Sequence, residues 1–123
     1  MIQLSVASLT SQLGKARHSL HDQLGAEGID ADHIVAVAAV ANELLGAAFE
    51  ARPRQRLTLS VELFARLTSV RVSCPNGAQL RDEPLGLRER VLNAYAFAWG
   101  ARAQPDGAVH LWAELARTPA CHA

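Results

Sequence analysis

"RLTLSVELFARLTSVRVSC", residues 56–74, decides the fold. Leu57, Leu59, Val61 and Leu63 alternate with Arg56, Thr58, Ser60 and Glu62; further on, Val70, Val72 and Cys74 alternate with Ser69, Arg71 and Ser73. A period of two sends every second side chain to the same face, so each run predicts a half-buried strand and the two predict an antiparallel pair. The link between them lacks Gly and Asn, which leaves its turn type open.

Upstream, the period lengthens. Leu9, Leu13, Ala16, Leu20 and Leu24 recur at intervals of three and four, one face of a helix, with Ser8 as its N-cap and Gly25 as its stop. Arg17, His18, His21 and Asp22 fall largely off that stripe. A second helix is signalled by Asp30 and Asp32 at its positive end and by Ile34, Val37, Ala41, Leu44 and Ala48 along it. Pro53 disfavours helical geometry at Arg52, so that helix should end near Ala51. Ile2 to Val6 reads as a short strand before both.

Downstream, "CPNGAQLRDEPLG" (74–86) is a loop rich in helix and strand breakers. Leu87, Val91, Ala94 and Ala98 predict a third helix that ends at Gly100. In "QPDG" (104–107), Pro105 presets its own dihedral and Gly107 accepts positive φ, so this is a turn. Val109, Leu111, Ala113 and Leu115 give the closing strand, paired with residues near Ala101 to Ala103. The sum is an α+β two-layer sandwich: about three helices on one face of a mostly antiparallel sheet. Residues 1–117 form one expected domain and 118–123 a frayed tail.

With 123 residues the chain can bury one core, and its twelve acidic and twelve basic residues cancel. That balance provides no broad positive field for nucleic acid. No apolar run is read as reaching the roughly 18 residues of a membrane span, and no signal peptide is read at the N-terminus, so the cytoplasm is the expected location. Cys74 and Cys121 lie far apart, form no metal-ligand spacing and need not pair.

The element order, with "ANELLGAA" (41–48) in the second helix and "WGARAQPDGAVHLWAEL" (99–115) at the end, resembles the histidine-kinase-like (GHKL) ATP-binding domains. Within that family the chain is most similar to small actinobacterial proteins related to anti-sigma-factor serine kinases. The stretch from Ser8 to Ala51, Arg17 included, is similar to the family's first two helices. The resemblance implies three motifs around Mg-ATP. A Glu-x-x-x-Asn pair supplies a catalytic carboxylate and a magnesium-binding amide; here Glu43 is present, but the Asn position is Ala47. Asn42 cannot stand in, being about 140° round the helix from Ala47. An adenine-reading aspartate at a strand end falls on Cys74, and the glycine of its turn on Asn76, next to Gly77. A Gly-x-Gly-Leu that meets phosphates survives only as Gly86 and Leu87 after Pro84. The implied lid, Asn76 to Glu83, is short.

The leading expectation is therefore a regulatory protein-binding domain with a vestigial nucleotide pocket (Cys74, Asn76, Gly77, Gly86, Leu87) and no cofactor. Its partner by resemblance is a sigma factor or an anti-sigma antagonist, with homodimerisation compatible and neither nucleic acid nor membrane involved. The alternative is an active serine kinase that binds ATP with magnesium, in which Glu43 is the catalytic base. A third reading makes His18 or His21 a phosphoacceptor, since "HD" at 21–22 resembles part of a histidine-kinase box. Each residue also has a plainer reading: Glu43 bonded locally, Cys74 packed as a small hydrophobe, the histidines hydrated. His110, Trp112 and Glu114 share the outward face of the last strand, either as a partner surface or under the N-terminal strand.

Overall fold

The computed structural model describes residues 1–7, 10–51, 56–75 and 89–117. Its elements run β1 (Ile2–Ala7), α1 (Thr10–Ala26), α2 (Ala31–Ala51), β2 (Arg56–Leu63), β3 (Leu67–Cys74), α3 (Glu89–Tyr95), β4 (Ala98–Ala103) and β5 (Val109–Ala116). The strands form one antiparallel sheet in the order β1-β2-β3-β5-β4. Three helices and this sheet make the expected α+β two-layer sandwich.

The alternation of 56–74 sets the sheet's two faces. Leu57, Leu59, Val61, Val70, Val72 and Cys74 are buried, and Leu111, Ala113 and Leu115 of β5 join them. Against this row lie Leu20 and Leu24 of α1 and Val37, Val40, Leu44 and Leu45 of α2. The turn left open in the sequence is a tight reversal in which the Phe64 N–H donates to the Leu67 carbonyl at 2.9 Å. Arg117 secures it from the end of β5: its backbone N–H donates to the Arg66 carbonyl (2.9 Å) and its Nη1 to the Phe64 carbonyl (2.8 Å).

Helix ends follow from local hydrogen bonding. Asp30 caps α2, its Oδ2 accepting from the Asp32 N–H at 3.2 Å while its carbonyl takes the Ile34 N–H. The stop of α1 is Gly28 and not Gly25, which lies inside the helix. Gly28 sits at φ +74°, the Ile29 N–H reaches back to the Leu24 carbonyl, and both side chains are buried. A left-handed glycine followed by an apolar contact to the last turn is what ends a helix there.

Helix α2 ends at Ala51, as Pro53 requires. Contrary to the sequence reading, its Ala31–Glu50 stretch is long and apolar enough to cross a bilayer, with mean hydropathy 1.3. The reason lies in its alanines and valines, several of which face the sheet and α1.

The third helix departs most from expectation. It stops at Tyr95, and Ala98, Trp99 and Gly100 belong to β4. After the Ala96 N–H closes the last helical bond to Leu92, the Phe97 N–H already donates to the Glu114 carbonyl of β5. Pairing with β5 overrides the helix preference of an alanine-rich run. The turn at 104–107 forms as expected, with Gly107 at φ +90° and the Asp106 carboxylate accepting from the Ala108 N–H. Residues 118–123, the expected tail, lie outside the described residues.

Candidate functional site

Two anchors place the second half of α2 over the end of β3. At its start, His33 Nε2 lies 2.7 Å from Thr68 Oγ1, near the beginning of β3. At its end, Ala51 is separated by a short link from β2, whose Thr58 pairs with Ser73. From His33 to Ala47 a helix rises about 21 Å. From Thr68 to Cys74 a strand advances about 20 Å. Ala47 and Cys74 therefore reach the same end of the sheet, where the resemblance puts magnesium and adenine.

Two side chains there lack the groups that the resemblance calls for. Ala47 is buried and offers a methyl group where magnesium, a hard cation, needs oxygen. Cys74 is wholly buried in the core, and its thiol is pushed up to about 11 by loss of hydration. It is therefore a neutral thiol at pH 7, with its weak S–H donor 3.9 Å from the Val72 carbonyl. It holds no charge for an adenine amino group to meet. Glu43 is half-buried on α2. Asn76, Gly77, Gly86 and Leu87 lie outside the described residues, as does Cys121. Among the described residues no group of three His, Cys, Asp or Glu side chains is placed to hold a metal ion.

The histidines of α1 are surface groups. His18 Nε2 lies 3.4 Å from Asp22 Oδ2, with both side chains exposed (81% and 69%), and His21 is exposed beside them. Such a pair contributes little to stability.

A second constellation occupies the sheet face turned away from the helices. Strand β1 lies at the sheet edge beside β2, so it does not cover Trp112. Register places Ser60, Arg71, Trp112 and Gly100 side by side across four strands. The row on one side holds Thr58, Ser73, His110 and Arg102; the row on the other holds Glu62, Ser69, Glu114 and Ala98. The indole of Trp112 lies against Gly100, where an added Cβ would stand 3.2 Å from Cζ2. A side chain larger than hydrogen at 100 would push the ring away. Ser69, Arg71, Arg102, His110, Trp112 and Glu114 line a concavity of about 200 Å³. The alternation in β5 pointed outward here; the cross-strand company of Arg71 and Arg102 needed the register.

His33 and His110 are both held below the ordinary imidazole pKa. For His33, burial is the main cause, Arg117 adds to it and Asp30 opposes it. For His110, burial again leads, followed by the lowering effect of Arg71, the opposing pull of Asp106 and a further lowering by Arg102. The unfolded chain therefore takes up protons near pH ~6.5, before the folded chain does. Stability from these two groups is complete above that pH and is lost as pH falls through their lower folded values. We expect urea midpoints to fall between pH 7.5 and 5.5, and the fall to shrink in a His33→Gln/His110→Gln double variant. An equal slope in both proteins would count against this assignment.

No family model matches the sequence, and no curated protein matches it. Among solved structures, a chain in the crystal structure of the SiaB–SiaC complex from Pseudomonas aeruginosa is similar, with a TM-score of 0.54 and 13% sequence identity. The match covers 95% of this chain and 90% of that chain. At that identity the likeness is one of fold.

Proposed function

We propose that this chain is a regulatory protein-binding domain built on a histidine-kinase-like ATPase scaffold that has lost its nucleotide chemistry. The observation that supports it best is Cys74: where the resemblance requires a carboxylate, there is a wholly buried thiol titrating at about 11. The buried methyl of Ala47 supports it at the metal position. A hydrogen bond to a charged group contributes roughly 1.5–3 kcal/mol, so losing the carboxylate alone weakens ATP by about ten- to a hundred-fold, and losing the metal-binding amide weakens it further.

What remains for function is surface. The similar solved chain comes from a complex of two proteins, which accords with action by protein–protein contact. By resemblance the partner is a sigma factor or an antagonist of an anti-sigma factor, met in the cytoplasm. No step of catalysis is assigned to Glu43.

Titrating the protein with Mg-ATP in a calorimeter is the direct test. No heat of binding at micromolar nucleotide is expected. The melting midpoint should likewise not move with millimolar Mg-ATP, since a ligand selective for the folded state raises it. Micromolar binding, together with phosphorylation of a partner serine, would overturn the proposal in favour of an active kinase.

A further inference from the structure

The outer face of the sheet is polarised. Arg71, Arg102 and His110 lie in the central row and the row toward Cys74, whereas Glu62 and Glu114 lie in the row toward the β2–β3 turn. Rows on one face are about 7 Å apart and strands about 4.8 Å. At those spacings long arginine side chains from β3 and β4 reach one concavity, and both line it.

The arginines are short of acceptors. Among the described residues the ion pair within 4.0 Å is His18–Asp22 on α1, and no carboxylate pairs with Arg71 or Arg102. The Arg71 Nε is buried and meets no acceptor among the described residues. A desolvated donor without an acceptor is costly, and a native surface seldom retains one unless something outside the chain completes it. The flat indole of Trp112, laid against Gly100, is an apolar wall beside these donors, and Ser69 adds a hydroxyl. Guanidinium groups match a planar carboxylate edge to edge. Overall charge is zero, so the attraction is local and does not suit a long polyanion such as nucleic acid.

We propose that this face docks a short acidic segment of a partner protein, its carboxylate taken by Arg71 and Arg102 and a neighbouring apolar side chain laid on Trp112. The site deepens the protein-binding reading above and rests on it. Glu114, at the far wall, restricts the carboxylate to the arginine side. An arriving anion also favours protonated His110, so the contact tightens as pH falls toward the lowered pKa of that imidazole. The charged groups that bear on His110 are Arg71, Arg102 and Asp106.

The test is an NMR titration without nucleotide, using the capped hexapeptide Ala-Glu-Glu-Leu-Glu-Ala and its twin with Gln for every Glu. The acidic peptide should shift the Trp112 indole N–H and the Arg71 Nε–H, and bind roughly ten-fold or more tightly than the twin. Arg71→Gln and Arg102→Gln should each weaken it several-fold, and Glu114→Gln should strengthen it. Arg102 is exposed on an edge strand, so Arg102→Gln reports even if Arg71→Gln fails to fold. Four results overturn the site: no outer-face shift at millimolar peptide, an equal response to the twin, shifts with sodium phosphate alone, or a face hidden by self-association. These outcomes leave the protein-binding reading standing, because that reading fails on Mg-ATP binding, a separate measurement.

Discussion

Cys74→Asp is expected to destabilise the fold by about 3–5 kcal/mol at pH 7. The resemblance makes aspartate the natural occupant of this position, and in a working adenine pocket it would meet solvent and ligand. Here the side chain at 74 is wholly buried among Val72, Val109 and other apolar residues of the core. An ionised carboxylate there is desolvated and unpaired, so the folded protein holds it neutral and its pKa rises. The unfolded carboxyl ionises near pH ~3.9, so the penalty grows as pH rises from there to the folded pKa and levels off above it. Urea midpoints at pH 7 and pH 4 measure this directly. The variant should be crippled at the first and close to the parent at the second. A variant as stable as the parent at pH 7 would mean that position 74 is open to water and that the pocket can be rebuilt.

Leu44→Ala is expected to cost about 2–5 kcal/mol, since deletion of a buried leucine removes its burial energy and leaves a cavity. Leu44 is fully buried on α2, the helix that meets the other two helices and several strands. A domain of this size has roughly 5–15 kcal/mol in total, so much of its stability is at stake. Thermal denaturation followed by circular dichroism should show a midpoint lower by roughly 10–20 °C. Leu13, half-buried on α1, provides the comparison and should cost less when truncated. A loss at Leu44 below about 1 kcal/mol would contradict the packing of α2 against the sheet.

Elements whose local pattern agreed with their tertiary role were legible in the sequence. The alternation of 57–63 and 70–74 fixed β2 and β3, and Asp30 and Pro53 bracketed α2 within a residue or two. Elsewhere two signals competed. "AYAFAWGARA" (94–103) carries helix-favouring alanines, yet the Phe97 N–H is already engaged with β5, and only the long-range partner reveals this. Gly25 and Gly28 both suit a helix stop, and the decision rests on Ile29 packing with Leu24. The departures at Ala47 and Cys74 from the motifs that the resemblance implies were legible one by one, and burial added that the thiol is withdrawn into the core. The arginines of the outer face were not legible as a group. Arg71 and Arg102 meet because β5 inserts between β3 and β4, a neighbourhood set by pairing and not by spacing along the chain.

The position of β1 has a consequence for how the protein is made. Its partner is β2, with Ile2 opposite Val61, so once synthesised this strand waits for a segment some sixty residues behind it. Both helices of the α1–α2 hairpin emerge in that interval and can form from local contacts, whereas the N-terminal strand cannot pair. Nascent chains thus carry Ile2, Leu4 and Val6 without their strand partner until β2 has emerged, and that edge is fastened only then.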